Sequence, residues 1–208
     1  MNPTIPNHSD TLYRFRFLFA FLAACIVVCP ARSYAGEKPE AFETITLGAQ
    51  FIYGTASEEF ADIWDPSNGA LVLIDSPFYL GAVEVGIHLF RNNNLSSDVP
   101  PFRSVNFFLG WGIEWALPLR IGWFTGIRAG GLYMNFDDDD VADEVKTESE
   151  LAFGLSTALR YPLGDRWSVL VSGQYLRVFT YHRIEYSFFG AGVSRSFTMP
   201  RGLREFLE

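Results

Sequence analysis

The sequence predicts an all-β fold: eight antiparallel strands closed up-and-down into a barrel that spans a membrane. Three observations predict it. Apolar residues alternate with small or polar ones along segments of strand length, and the small-residue parity is crowded with glycine. Short turns alternate with longer polar loops along the chain. Beyond its first 35 residues the chain has no apolar run of the 20 or so residues that a spanning helix needs.

The clearest segment is the hairpin at 101–136. On its first arm Val105, Phe107, Leu109, Trp111, Ile113, Trp115 and Leu117 share one parity. Ser104, Asn106, Gly110, Gly112 and Glu114 share the other, which Phe108 interrupts. Successive side chains of a strand point to opposite faces, so one face is apolar and the other small or polar. The chain turns at Leu117-Pro118-Leu119-Arg120, and Ile121, Trp123, Thr125 and Ile127 continue the apolar face on the return arm. The opposite parity, Arg120, Gly122, Gly126, Arg128 and Gly130, is too glycine-rich for a solvent face. It fits a crowded polar lumen with lipid on the other side. A soluble barrel of lipocalin type, apolar inside and polar outside, is the competing arrangement, and the glycine content of the polar parity disfavours it.

The first 35 residues read as an export signal. Arg14 and Arg16 precede an apolar stretch at 17–29, and Ser33 and Ala35 place small residues before a cleavage point. Leu22-Ala23-Ala24-Cys25 offers a competing lipoprotein reading. Both cysteines, Cys25 and Cys29, lie in this signal, so a mature chain has no disulfide or thiolate site. Loss of Arg14, Arg16, Arg32 and Asp10 with the signal takes the net charge from −8 to −10. Such an acidic chain lacks the basic face that nucleic acid requires.

The expected organisation is a cleaved signal at 1–35, a barrel at 36–197 and a short periplasmic tail at 198–208. Strand one spans 43–54, with Ile45, Leu47, Ala49, Phe51 and Tyr53 outward. An acidic loop at 55–68 leads to a short, weakly patterned second strand at 69–75 and a turn at Ser76-Pro77. Strand three spans 78–90, with Val83, Val85, Ile87 and Leu89 opposite Glu84, Gly86 and His88. A loop at 92–101, rich in turn-forming Asn, Ser and Pro, precedes the hairpin strands. The acidic loop at 137–148 leads to strand six at 149–161. The turn at 162–165, strand seven at 166–180 and strand eight at 184–197 complete the barrel. The count is even, as bacterial single-chain barrels require. Trp111, Trp115, Trp123, Trp167 and Tyr161 fall towards the turn ends, where an interfacial aromatic girdle belongs.

These patterns resemble the small eight-stranded outer-membrane barrels of the OmpA/OmpX type over residues 43–197. The last strand, FFGAGVSRSF, is similar to the terminal strand such proteins present to the barrel assembly machinery, although about ten residues follow Phe197. The resemblance implies an exported, monomeric outer-membrane protein in contact with outer-membrane lipid and lipopolysaccharide.

Three constellations could carry chemistry. Glu84, His88, Glu114, Arg120, Arg128, Glu150 and Arg160 are expected to face the lumen, as a packed ion-pair plug or as a gate or proton relay. Unpaired charges away from water are costly, which favours the plug. Asp137, Asp138, Asp139 and Asp140 could hold a divalent cation, but the run lacks EF-hand spacing and reads as a solvated loop. His182, Glu185 and Ser187 are a His–acid–hydroxyl grouping. It resembles the set of membrane-embedded lipid A deacylases only loosely, since the spacing here is His-x-x-Glu-x-Ser. No cofactor is expected. The sequence thus favours a structural or interaction barrel with a plugged lumen over a lipid A acyl hydrolase and over a narrow pore or carrier.

Overall fold

A computed structural model describes residues 40–95, 99–137, 147–180 and 184–207. Its core is a closed antiparallel barrel. The strands are β1 (Thr44–Ala56), β3 (Gly69–Phe78), β4 (Gly81–Asn94), β5 (Phe102–Ala116), β6 (Gly122–Phe136), β7 (Thr147–Pro162), β8 (Trp167–Phe179) and β9 (Ile184–Thr198). A three-residue strand, β2 (Trp64–Pro66), pairs with the loop-side extension of β4 at Asn92–Asn94. Sequential strands pair around the ring, and β1 with β9 and β4 with β5 complete it. Closure leaves no unpaired edge among the eight, so their backbone groups are satisfied without water.

Facing follows parity. Leu47, Phe51, Val85, Ile87, Phe107, Leu109, Ile127, Leu155, Val171 and Val193 are exposed on the outer wall. Their chain neighbours Gly48, Glu84, Gly86, Phe108, Gly110, Gly126, Ser156, Ser172 and Ser194 are buried inside. At the turn end Trp111, Trp115, Tyr161 and Trp167 lie on the outer wall, and the Trp123 indole donates to Thr157 Oγ1 at 2.7 Å. Arg195 also faces outward there. Its guanidinium lies 5.3 Å from the Trp167 ring and 5.0 Å from the Phe197 ring, so a cation at the apolar boundary is covered by two aromatic faces.

Several expected boundaries move. Ser76 and Pro77 belong to β3, and the turn lies at Tyr79-Leu80, with Tyr79 at φ 48°. Ser76 Oγ donates to the Thr44 carbonyl at 2.7 Å, which ties the end of β3 to β1 and lets the strand run on. The hairpin turn holds a 3₁₀ segment, Pro118–Arg120, with Leu119 and Arg120 at φ 65° and 61°. The tail after Phe197 is a short helix, α2 (Arg201–Leu207), whose Arg204 pairs with Glu40. The loop after β1 carries α1 (Glu58–Ala61).

Inward glycines make room for large neighbours. A Cβ on Gly86 would stand 2.5 Å from the Phe108 ring and 2.8 Å from the Val72 carbonyl oxygen. Gly86→Val is therefore expected to destabilise the barrel by about 1–3 kcal/mol through overpacking. Urea unfolding in detergent, followed by the gel shift between folded and unfolded forms, measures it. Phe108→Leu in the same chain should recover part of the loss.

Candidate functional site

The lumen holds the buried ion pairs of the described residues, and it is built in two layers. Asp75 and Glu84 are register neighbours on β3 and β4, so two carboxylates point inward side by side. Each is answered by an arginine from another wall. Arg128 Nε donates to Glu84 Oε2 at 2.9 Å, and Arg160 Nη2 donates to Asp75 Oδ2 at 2.9 Å. Arg128 also donates through Nη1 to Gln174 Oε1 at 2.7 Å and lies 4.3 Å over the Phe108 ring. Ser172 Oγ donates to Gln50 Oε1 at 2.5 Å. Between the two ion pairs remains a cavity of about 20 Å³, lined by Gln50, Glu84, Arg128, Arg160 and Ser172. That is room for roughly one water.

The loop side of the lumen is a different material. Ile52, Leu71, Phe90, Phe102, Phe108, Leu132, Met134, Tyr186 and Phe188 form a buried apolar cluster there. The loop after β1 adds Phe60, stacked on Trp64 at 5.0 Å and edge-on to Tyr186 at 5.4 Å. Trp64 Nε1 donates to the Pro100 carbonyl at 3.0 Å. Two loops are thereby pinned across the mouth.

Of the residues expected in one lumen network, Glu84, Arg128 and Arg160 form buried ion pairs as described, Glu114 stands within electrostatic reach of Arg160, and His88, Glu150 and Arg120 lie in other surroundings. His88 is 1 % exposed but lies in the aromatic layer, 4.8 Å from the Phe188 ring, with its Nε2 unpartnered among the described residues. Glu150 is half-buried opposite Leu132 on β6. Glu114 keeps the inward parity but sits at the open mouth and is exposed. Arg120 is exposed in the hairpin turn, because the 3₁₀ segment takes it out of strand geometry. The lining differs as well: its loop side is apolar, a cluster of aliphatic and aromatic side chains, rather than polar throughout. Asp75, Gln50, Gln174 and Ser172 join the network unforeseen. Asp75 shares parity with Leu71 and Leu73, a signal obscured by placing the strand end at Asp75 itself.

The described members of the other two constellations lie outside this network. Glu185 is buried, and Ser57 Oγ approaches its Oε2 at 3.4 Å. Ser187 has the outward parity of Phe189 and pairs in register with Thr55 and Tyr175. His182 and Asp138, Asp139 and Asp140 lie outside the described residues. Asp137 is described, and it pairs with arginine rather than with other carboxylates: Arg91 Nη2 at 3.0 Å and Arg103 Nε at 3.8 Å.

No protein-family model matches the sequence, and no curated protein does. Solved structures do match. Neisserial surface protein A superposes with a TM-score of 0.60 at 13 % identity, over 74 % of this chain and 97 % of that one. This is the fold of small outer-membrane barrels. Ail, the attachment invasion locus protein of Yersinia pestis, superposes at 0.51 with 12 % identity over 74 % of this chain and 97 % of its own. Ail in complex with the heparin analogue sucrose octasulfate superposes at 0.50, with the same identity and coverage. The outward apolar wall of this outer-membrane barrel gives the physical reason for the likeness: a closed antiparallel barrel that is apolar outside has lipid as its solvent.

Proposed function

We propose that the protein is a sealed outer-membrane barrel with a structural or interaction role, exercised through its loops and outer wall rather than through its lumen. The observation that carries this reading is the series of two occlusions. A solute must displace both the Phe60–Tyr186–Phe188 layer and the Glu84–Arg128 pair, and the space between the ion pairs holds roughly one water. A pore or carrier needs a continuous polar path, and the aromatic layer interrupts it.

An exported chain fits this reading, with a leader ending near Ala35 and β9 ending in Phe197 as the strand offered to the assembly machinery. Ail is crystallised with a polyanion. The loops here carry Glu58, Glu59, Asp62, Asp65 and the run from Asp137 to Asp140, so their charge favours cationic partners instead.

Refolded protein in planar bilayers is expected to give no stepwise ionic current. Open-channel steps from the wild type that change with Phe60→Ala or Arg128→Met would overturn the sealed-barrel reading and make the lumen a conduit.

A further inference from the structure

Two arginines stand on the lipid side of the barrel. Arg91 on β4 and Arg103 on β5 are direct register partners, and Asn135 on β6 is the next residue in the row. All three have outward parity. The row on their turn side is Leu89, Val105 and Tyr133, again register neighbours, and below these lie Ile87 and Phe107. The apolar wall therefore ends one row, about 7 Å at two residues of strand rise, beneath the guanidinium-bearing row. Like charges directly opposite each other in a ladder repel. Among the described residues the carboxylate shared by the two is Asp137, which lies on their loop side, beyond Asn135 in the chain. Arg103 remains 69 % exposed, its Nε only 3.8 Å from that carboxylate. Two guanidiniums are thus fixed at the upper edge of the lipid-facing wall, with their loop side occupied and their membrane side open.

We infer that Arg91 and Arg103 form a docking site for the phosphorylated headgroup of a lipid in the leaflet at the loop end. A guanidinium donates in a fork that matches phosphate oxygens, and two adjacent forks suit a phosphomonoester close to doubly charged. The acyl chains of the same lipid would lie against Leu89, Val105, Phe107 and Tyr133 directly below. Charge complementarity and the adjoining apolar wall commit the site to a lipid rather than to a soluble anion. Arg177 provides the contrast. It also faces outward near the loop end, but its register partner on β9 is Glu185 and it leans towards the Phe179 ring. The proposal rests on the membrane-barrel reading and names a lipid class for one part of its outer wall.

The test uses the whole folded protein in detergent micelles, offered bisphosphorylated lipid A, the same lipid A stripped of both phosphates, and phosphatidylcholine. Retained lipid is read by native mass spectrometry. The wild type is expected to retain bisphosphorylated lipid A several-fold more than the other two. The double variant Arg91→Gln/Arg103→Gln should lose that preference while keeping the folded gel mobility, and Arg177→Gln should keep both. Equal retention by the double variant, or no preference in the wild type, overturns the site. Displacement of the bound lipid by millimolar inorganic phosphate would make it a free-phosphate site and also overturn the proposal. A wild type that fails to give the folded, heat-modifiable form in micelles or bilayers would instead sink the membrane-barrel reading itself.

Discussion

Leu109→Arg is expected to cost about 2–4 kcal/mol of folding free energy in a bilayer, the range for a cation facing lipid near mid-membrane. Leu109 is mid-strand on β5, flanked in register by Val85 and Ala129, and 66 % of its surface is open on the outer wall. In water such an exposed leucine could become arginine almost freely. In lipid the guanidinium must snorkel several rows towards either boundary or drag water in with it. The measurement is a urea titration of the protein in lipid vesicles, read by tryptophan fluorescence. Gly110→Arg, one residue along, separates facing from mere disruption. A Cβ there would lie 3.0 Å from Arg128 Cγ and 3.3 Å from Glu84 Oε2, so it should fail in thin detergent micelles as well as in vesicles. An unchanged midpoint for Leu109→Arg in vesicles would mean that the apolar wall is not facing lipid.

The same alternation that makes this expectation possible made the barrel legible in the sequence. From Val105 to Trp115 every second side chain is apolar, and the residues between, Phe108 apart, are small or polar, as a crowded interior needs. Parity therefore fixed facing for Leu109, Val171 and Gly110 alike. What parity does not carry is depth. Along β4 the inward residues run Ala82, Glu84, Gly86, His88, Phe90 and Asn92, so the lumen changes from charged to aromatic within one strand. Phe90, Phe102, Leu132, Met134, Tyr186 and Phe188 all share inward parity, yet each looks like an isolated exception until register aligns them at the loop end. Register comes from strand pairing, which a single sequence does not state. The cap has the same origin. Phe60 and Trp64 sit in an acidic loop whose composition says only that it is polar, and their role follows from β2 pairing with the far end of β4.

Ion-pair membership was harder to read for a related reason. Glu114 and Arg160 both have inward parity near the turn end, but Glu114 is exposed, whereas Arg160 reaches Asp75 across the lumen. Parity treats the two alike, and burial and ion-pair partner separate them. Arg120 fails on local geometry instead: the residue sits in the left-handed region of a tight turn, where strand parity has no meaning.

Removing Arg128 is expected to have the largest effect of any lumen substitution. Arg128→Met should destabilise the barrel by about 3–5 kcal/mol, the cost of leaving one member of a buried ion pair without its partner. Both side chains are nearly sealed, at 8 % and 6 % exposure, and Arg128 is the cation that ion-pairs directly with Glu84 among the described residues. The variant also strips Gln174 Oε1 of its donor and Phe108 of the cation above its ring. Most of the penalty comes from the orphaned carboxylate, so Glu84→Gln/Arg128→Met should recover a large part of it, because two neutral groups of similar volume need no counter-charge. Arg160→Met should cost less than Arg128→Met, since Arg160 is 25 % exposed and water at the turn-end mouth can solvate what is left. The measurement is a double-mutant cycle on unfolding free energies in lipid vesicles, repeated at low and high salt. A buried pair is screened little, so the coupling between Glu84 and Arg128 should survive high salt, whereas that between the exposed Arg91 and Asp137 should fade. A coupling for Glu84 and Arg128 near zero, or one abolished by salt, would mean that water reaches the pair and that the lumen is not sealed at this level.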